Sequence, residues 1–332
     1  MNTFRVVDRA AASIFVALVA GACGASAPST AVSNVPPPAS QSTSTMTPAP
    51  TASALPAATF RNPFTVVGHI DLAALGIGQP IAFAIGKGGN LYISDTKPEV
   101  VIVSPDGTLI DRWGRAGSKP GEFAFEFLVD THLGAPGNLH GSIAIGPAGE
   151  VFVSDAANDR VQVFTPAGTF VRAFGELGDG SGLESPFDIA VDAAGVSYVT
   201  DDAEDRFDLR AFDAAGALLW IRIGGPYHLS SIDSAGRIVA THEAGEVVWI
   251  APDGKSAERV AFADPCDAVA DGRGYSYVQD CGTGWYTVLG ANLEKLGSWD
   301  PGAVHGLHVT LDGTGYAFAA DGSIVILAID LP

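Results

Sequence analysis

The chain has 332 residues and a formal net charge of −19, because 37 Asp and Glu stand against only 18 Lys and Arg. An excess of acid this large disfavours nucleic acid as a partner, and it disfavours a basic patch for anionic lipid. We interpret most of the acid as keeping the folded part soluble, since net charge says little about the fold.

The first 22 residues predict a targeting segment. Arg5 and Arg9 precede the apolar run Ala10–Ala22, which is too short to span a bilayer as a stable helix. The run ends in Val19-Ala-Gly-Ala-Cys23, which resembles a bacterial lipobox, where cleavage precedes a cysteine that takes the lipid. The alternative is an ordinary cleaved signal peptide with an incidental cysteine. The lipobox interpretation predicts lipidation of Cys23 and an extracytoplasmic protein held in the bacterial cell envelope by its lipid anchor alone.

Residues 23–58 are predicted to form a disordered tether. After Cys23 the segment is mostly Pro, Ser, Thr and Ala, with almost no charge or large apolar group. It cannot bury enough surface to offset the entropy of ordering, and its prolines keep it extended. It would hold a folded head, residues 59–332, away from the membrane. That head is long enough for one large domain.

The stretch Ser142–Gly175 sets the pattern of the head. It holds four short apolar runs, each ended by a turn: Ile143–Ile145, Val151–Val153, Val161–Phe164 and Thr169–Phe174. Short alternating runs joined by tight turns predict four antiparallel strands. One such sheet cannot bury both faces by itself, so it needs neighbours of the same kind.

The same pattern repeats along the chain. The turn between the first and second strands of each unit ends in a glycine: Gly89, Gly149, Gly195, Gly236, Gly274 and Gly315. Their spacing is about 40–45 residues, with one longer first interval, and four strands per unit at that spacing are typical of a β-propeller. The units begin at Ile81, Ser142, Phe187, Leu229, Asp267 and Leu307.

The two ends of the head predict how the ring closes. The last apolar run, Ser323–Ile329, is the third strand of the last unit, and Phe64–Ile70 is a spare strand at the beginning. Pairing the two would leave no exposed edge. The predicted fold is therefore all-β: a six-bladed β-propeller of four-stranded antiparallel blades, closed by an N-terminal strand that pairs with the last blade.

Short motifs then make the resemblance more specific. The second strand ends in Asp in four units, at Asp95, Asp155, Asp201 and Asp280. An arginine follows at the same spacing in two of them, as Asp155 to Arg160 and Asp201 to Arg206. Gly-rich segments lead into the first strand, as Gly117–Phe123 and Gly178–Pro186. In these features the chain resembles the NHL-repeat family of six-bladed propellers, chiefly in blades one to three.

The resemblance implies where a site would lie. In that family the starts of the first strands and the ends of the second strands share one face of the ring, around a central channel. The residues that this places at the channel mouth and that could hold a divalent metal are His140, His228, His305, His308, Asp188 and Asp267. Metal sites of this kind occur in related amidating lyases, streptogramin lyase and lactonase-type hydrolases. The strand-end acids are predicted to be structural instead, accepting hydrogen bonds from turn amides, with Arg160 and Arg206 as their partners.

Two further features of the sequence bear on the site and on the fold. The segment Ala124–His140 is an insertion before blade two, and Phe127, His132 and Asn138 in it either line a pocket rim or belong to a lid. Cys266 and Cys281 lie in the first two strands of blade five. A register that sets Gly272 opposite Tyr275 would set the cysteines opposite each other. We therefore expect a disulfide in an oxidising compartment, with two free buried thiols as the alternative.

Two functions follow as hypotheses. The first is a monomeric membrane-anchored binding module that needs no cofactor and whose channel mouth holds a protein, peptide or glycan. Its candidate ligand-binding residues are Phe127, His132, Asn138, His140, Asp188, His228, Asp267 and His308. The second is a metal-dependent lyase or hydrolase that uses the metal candidates, without any residue assigned as catalytic. A purely structural role in the envelope remains a third alternative.

Overall fold

The computed structural model describes residues 61–127, 139–176, 182–203, 206–224, 227–242 and 245–331, all within the compact unit Ala54–Pro332. The first strand is β1 (Phe64–Ile70). Blade one follows as β2 (Pro80–Ile85), β3 (Leu91–Asp95), β4 (Glu99–Val103) and β5 (Leu109–Trp113). A two-stranded ladder, β6 (Glu126–Phe127) with β7 (Leu139–His140), precedes blade two. Blade two is β8 (Ile143–Ile145), β9 (Val151–Asp155), β10 (Arg160–Phe164) and β11 (Phe170–Phe174).

The remaining blades repeat this order. Blade three is β12 (Pro186–Val191), β13 (Ser197–Ala203), β14 (Arg206–Phe212) and β15 (Leu218–Arg222). Blade four is β16 (Tyr227–Ile232), β17 (Ile238–His242), β18 (Glu246–Ile250) and β19 (Ala257–Ala261). Blade five is β20 (Pro265–Ala270), β21 (Ser276–Asp280), β22 (Tyr286–Leu289) and β23 (Lys295–Trp299). Blade six is β24 (Val304–Val309), β25 (Thr314–Ala319), β26 (Ile324–Ile329) and the first strand, β1. In the described residues no helix is long and apolar enough to cross a membrane.

The ring is six-bladed and closed as predicted. The innermost strands contact one another in order from β2 through β8, β12, β16 and β20 to β24, and β24 returns to β2. Antiparallel pairing of β1 with β26 sets Phe64 opposite Ile329 and Ile70 opposite Ile324. The N-terminal strand therefore supplies the fourth strand that the last blade lacks, which covers the edge of β26.

The apolar core lies between the blades, and each of six clusters of buried side chains joins two neighbours. Between blades one and two, for example, Tyr92 and Ile102 pack with Val151 and Phe164. Because each blade buries both faces, the middle strands β4, β9 and β10 are almost entirely buried, without the inside–outside alternation of a half-exposed sheet. This explains the nearly continuous apolar runs in the sequence.

Glycines shape the turns between first and second strands, with one correction. Gly149, for example, has a φ of 93°, a left-handed conformation that an L side chain rarely adopts. In blade six the turn glycine is Gly313, with a φ of 85°, whereas the predicted Gly315 lies within β25 opposite Val309. The turn there begins at Thr310, whose amide is bonded to the Thr314 carbonyl.

The strand-end acids are structural, as predicted. The Asp155 carboxylate accepts hydrogen bonds from the Ala124 amide at 2.7 Å and from the Arg160 Nε at 2.9 Å. Asp201 accepts the Glu184 and Ser185 amides at 3.0 Å, and Asp95 accepts the Gly78 and Gln79 amides. Each of these acids thus ties the end of a second strand to the loop that arrives from the preceding blade.

In blade three the described arginine partner of the strand-end acid is Arg210, and the predicted role of Arg206 stays a prediction. Asp201 forms an ion pair of 2.9 Å with Arg210, in the middle of β14, whereas the side chain of Arg206 lies outside the described residues. Spacing along the chain suggested Arg206 because Arg160 follows Asp155 at that spacing. The β13–β14 hairpin is longer than its counterpart in blade two, so Arg206 lies opposite Ala203, beyond the buried acid.

The Cys266–Cys281 disulfide is present, but the predicted register is wrong by one residue. Ala270 pairs with Ser276, and a bulge between Pro265 and Asp267 shifts the pairing again at Cys266. The cysteines nevertheless lie with their Cα atoms 5.5 Å apart and form the bond. The bulge places Cys266 where a residue just past the end of β21 can reach it.

Candidate functional site

A central channel of about 1520 Å³ runs through the ring and is lined by all six innermost strands. Its lining residues come from the starts of the first strands, such as Asp188, His228, Asp267 and His305, and from the ends of those strands. The predicted convergence of first-strand residues on one channel is therefore present. The channel lining separates these residues into two chemically different walls.

The first wall is acidic and belongs to blades three to five. It comprises Asp188, His228, Ser230 and Asp267, which we call the acidic wall. Asp188 Oδ2 accepts a hydrogen bond of 3.1 Å from the Leu229 amide and lies 3.8 Å from Nδ1 of His228. Ser230 Oγ donates a hydrogen bond of 2.8 Å to Asp267 Oδ1. The inner strand of blade four thus holds one carboxylate on each side of it.

Electrostatics within the acidic wall disfavour a second negative charge. Burial raises the pKa of Asp267 above its usual range, and the nearby negative charge of Asp188 raises it further. The hydrogen bond from Ser230 and the proximity of His228 act in the opposite direction. A positive charge nearby would therefore stabilise the ionised form of Asp267.

The second wall is aromatic and belongs to blades six and one. It comprises Phe83, His305, His308 and Phe318, which we call the aromatic wall. The Phe83 and Phe318 side chains are themselves buried, so the two histidines form its accessible surface. The ring centroids of Phe83 and His308 are 4.5 Å apart, and Phe83 meets Phe318 edge-on at 4.9 Å. His305 lies 5.7 Å from Phe318. Burial lowers the pKa of His308 to about 4, so this side chain is neutral at neutral pH.

Positive charge is missing from the described lining. None of the described residues that line the channel is Lys or Arg, and its carboxylates are Asp188 and Asp267. The described residues also contain no group of three or more His, Cys, Asp and Glu side chains placed to hold a metal ion. His228, His305, His308, Asp188 and Asp267 share the channel but are divided between its walls.

Four predicted residues of the insertion lie outside this description. His132 and Asn138 fall in residues 128–138, and the side chains of Phe127 and His140 are likewise not described. The backbone of β6 and β7 pairs Glu126 with His140 and Phe127 with Leu139. Their part in a ligand or metal site stays a prediction.

Ser230, Phe83 and Phe318 were missed by sequence reasoning. Ser230 lies at a bulge between Leu229 and Ser231, and such a bulge re-aims a side chain relative to strict alternation. Its signal was the polar pair of serines within an otherwise apolar inner strand. Phe318 comes from a second strand and is buried beside the channel, where its ring packs against Phe83.

Comparisons with known proteins place the fold. No family model matches the chain. The human E3 ubiquitin-protein ligase TRIM32 is 28% identical over 220 residues, which cover 60% of this chain and 33% of the ligase. The chain thus spans about a third of the length of that curated relative.

Solved structures agree on the propeller. Virginiamycin B lyase from Staphylococcus aureus aligns with a TM-score of 0.54 and 13% identity, covering 80% of this chain and 100% of the lyase. A gluconolactonase from Xanthomonas campestris aligns with a TM-score of 0.56 and 13% identity, covering 80% and 99% of the two chains. At such identity the likeness concerns the fold alone.

Proposed function

We propose that this protein is a membrane-anchored, extracytoplasmic binding module whose NHL-type propeller holds a protein, peptide or glycan ligand at the channel mouth. The observation that carries this proposal is the channel itself, which is open and has one acidic and one aromatic wall. Concave sites with a few converging polar groups on an apolar surface are the usual form of ligand sites. The ligand-binding residues that we assign are Asp188, His228, Asp267 and His308, together with Ser230.

The strands around this channel are well suited to hold such groups rigidly. The Ser94 hydroxyl of blade one donates to the Gly141 carbonyl at 2.6 Å, and the Ser154 hydroxyl of blade two donates to the Phe187 carbonyl at 3.1 Å. These bonds join the second strand of one blade to the first strand of the next or to the residues that lead into it. A side chain on an inner strand is thereby fixed by two blades, which favours preorganised binding.

The placement at the envelope rests on the sequence features of residues 1–58, and it has its own test. In a bacterial host, the full chain should fractionate with membranes and incorporate labelled fatty acid, whereas Cys23→Ser should do neither. Cys266→Ser with Cys281→Ser is the matched control, because it removes two other cysteines and keeps Cys23. A wild-type protein without lipid would overturn the anchor.

Ligand binding is tested by capture from envelope material with the purified full chain in detergent. Wild type should retain a partner that the double variant Asp188→Asn with Asp267→Asn loses. Asp111→Asn is the control, because Asp111 is exposed on the outer strand β5, away from the channel. Equal retention by all three proteins would contradict a site in the channel.

A metal-dependent lyase or hydrolase is the second candidate. The observation that favours it is the pairing of His228 with Asp188 at 3.8 Å in a channel whose fold neighbours include a lyase and a gluconolactonase. His140 would have to complete the ligand set. Metal analysis of protein purified without chelator, with melting followed before and after EDTA, separates the two functions. About one equivalent of divalent ion, with a lower melting temperature after its removal, would favour the enzyme.

A further inference from the structure

The disulfide of blade five lies at the channel, where solvent reaches it. Cys266 and Cys281 both line the channel, and Cys281 is exposed while Cys266 is half-buried. The bond joins two neighbouring strands of one blade, so its opening frees a local segment and separates no blades. Among disulfides, exposed ones are the labile and regulatory class, because a thiol can reach them.

Blade five has fewer other ties at this point than its counterparts. In blades one and three, the strand-end carboxylate accepts two backbone amides of the arriving loop. The described hydrogen bonds of the corresponding carboxylate in blade five, that of Asp280, stay within its own turn. Besides the disulfide, the described ties there are the bond of 2.9 Å from the Cys281 amide to the Asp264 carbonyl and the pairing of Pro265 with Asp280. Reduction would therefore leave this junction weaker than those of blades one and three.

Of the two strands that the disulfide joins, β20 is the one that its opening would release. The strand β21 pairs on both sides, and the buried Gln279 near its end donates a hydrogen bond of 2.7 Å to the Val304 carbonyl of blade six. The strand β20 is innermost and pairs with β21 alone. Its pairing shifts between Pro265 and Asp267, so Cys266 lies in a bulge, where a residue is left out of the ladder. The disulfide thus fixes a segment that the ladder holds only weakly.

The residue that follows this bulge belongs to the acidic wall. Asp267 comes directly after Cys266, lines the channel and accepts the Ser230 hydroxyl of blade four at 2.8 Å. The position of its carboxylate depends on the backbone at the start of β20, which the disulfide fixes. With that backbone released, a ligand would have to order it on binding, and this entropy would be subtracted from the affinity.

From these contacts we propose that the Cys266–Cys281 disulfide is a redox-sensitive switch of the channel mouth: the oxidised protein holds Asp267 in the binding arrangement, and reduction by a dithiol releases the start of β20. This inference rests on the proposed binding function and names a regulation of that site. A thiolate of the dithiol attacks Sγ of Cys281, the more exposed cysteine, and the Cys266 thiolate leaves and takes a proton from water. The other thiol of the reductant then displaces Cys281, so the protein gains two electrons and two protons and the dithiol becomes a cyclic disulfide.

The first test is hydrogen exchange of the full chain in detergent, followed by mass spectrometry, with the disulfide intact or reduced by dithiothreitol. Alkylation of a parallel sample counts the new thiols at Cys266 and Cys281. Exchange in the peptides that carry the Cys281 amide and the start of β20 should rise about tenfold on reduction. The amides of Thr96 and Asp202 are internal controls, because they make the corresponding backbone bonds in blades one and three, and their exchange should not change.

The second test measures binding in the two redox states. The purified chain is reduced, freed of reductant without oxygen and then mixed with envelope material, so that the partner never meets the reductant. Retention of the partner should fall about tenfold on reduction and return on reoxidation. The double variant Cys266→Ser with Cys281→Ser should retain as little as the reduced wild type and should not respond to reductant. If that variant does not fold, the reduced wild type carries the test by itself.

The outcomes separate this inference from the proposed function. Exchange that rises throughout the propeller would mean that reduction unfolds the protein, and exchange that stays unchanged at the start of β20 would leave the disulfide a fixed structural link. Either result overturns the switch. Equal capture by oxidised and reduced protein also overturns it and leaves the proposed function standing, as does a reductant effect that the double variant shares. If neither form captures a partner, the proposed function fails, and hydrogen exchange alone decides whether reduction releases β20.

Discussion

Blades two and five solve one structural problem by different chemistry. In both, the end of the second strand must be fixed to the loop that arrives from the preceding blade. Blade two uses Asp155, fully buried, which accepts the Ala124 amide and an ion pair from Arg160, while Arg160 also donates to the Lys119 and Glu122 carbonyls. Blade five uses the Cys266–Cys281 disulfide, and the Cys281 amide bonds to the Asp264 carbonyl.

The difference shows that the same position of the repeat can have different structural roles in two blades. Asp280 stands at the position of Asp155, yet its Oδ1 accepts bonds from the amide and hydroxyl of Thr283 in its own turn. In blade five the disulfide fixes the end of the second strand, and the described hydrogen bonds of Asp280 stabilise its own hairpin turn. The strand-end Asp therefore does not contribute equally to the free energy of unfolding in each blade.

Removal of the buried acid in blade two should have the largest effect. Asp155→Ala leaves the Arg160 guanidinium buried without its carboxylate, and breaking such a pair costs about 3–5 kcal/mol in free energy of unfolding. Asp280→Ala is the matched control and should cost about 1 kcal/mol, because its acceptor oxygen serves exposed donors. Urea unfolding measures both. Similar losses in the two variants would contradict the contrast between the blades.

Opening the disulfide should come next. It closes a segment with a sequence separation of 15 residues, for which the chain-entropy model gives about 3 kcal/mol. Urea unfolding with and without reductant should show that loss in wild type and in Asp155→Ala, and none in Cys266→Ala with Cys281→Ala. A reductant effect that persists without the two cysteines would show that the tie is not the disulfide.

The pH dependence of stability between pH 5 and pH 7 should be set chiefly by His308. Its pKa is lowered from 6.5 to about 4 on folding, so the unfolded chain binds more protons as pH falls through 6.5. Stability is then fully present above pH 7 and falls by up to about 2 kcal/mol on going to pH 5. His308→Phe should flatten thermal or urea stability between these values. An unchanged slope would assign the pH dependence to other groups.

The smallest effect should come from Asp267, and it should have the opposite sign. Its pKa is raised on folding, so the folded state binds the extra proton and stability falls as pH rises through the raised value. Asp267→Asn removes the charge and keeps an acceptor for Ser230, so a small rise in melting temperature at pH 7 is expected. Loss of stability at pH 7 would mean that the ionised carboxylate is a net structural contributor.

The fold was largely predictable because its signals repeat. Turn glycines, strand-end acids and the spare strand Phe64–Ile70 each pointed to the same ring, and the pairing of β1 with β26 confirms its closure. Register was less predictable, since bulges in the inner strands shift it without changing the apolar pattern. The displaced pairing at Cys266 is one consequence. The turn of blade six was misplaced for another reason, because Gly313 and Gly315 both follow its first strand and the sequence does not show which of them ends the turn.

The site was predictable only as a set of positions. Sequence reasoning brought Asp188, His228, Asp267 and His308 to one channel as candidate ligand-binding residues, with a single metal site as the alternative. Their division between two walls depends on which blade each belongs to and on the aromatic neighbours Phe83 and Phe318. Those neighbours are ordinary core residues in the sequence, so no local signal marks them.

The most direct test of the proposed function is capture of a partner from envelope material by the purified full chain, compared with capture by the double variant Asp188→Asn with Asp267→Asn. A partner that wild type retains and the double variant loses is the expected result, with the fold of both proteins verified by circular dichroism. Equal binding in both proteins would contradict the claim that the acidic wall is the recognition surface of this channel.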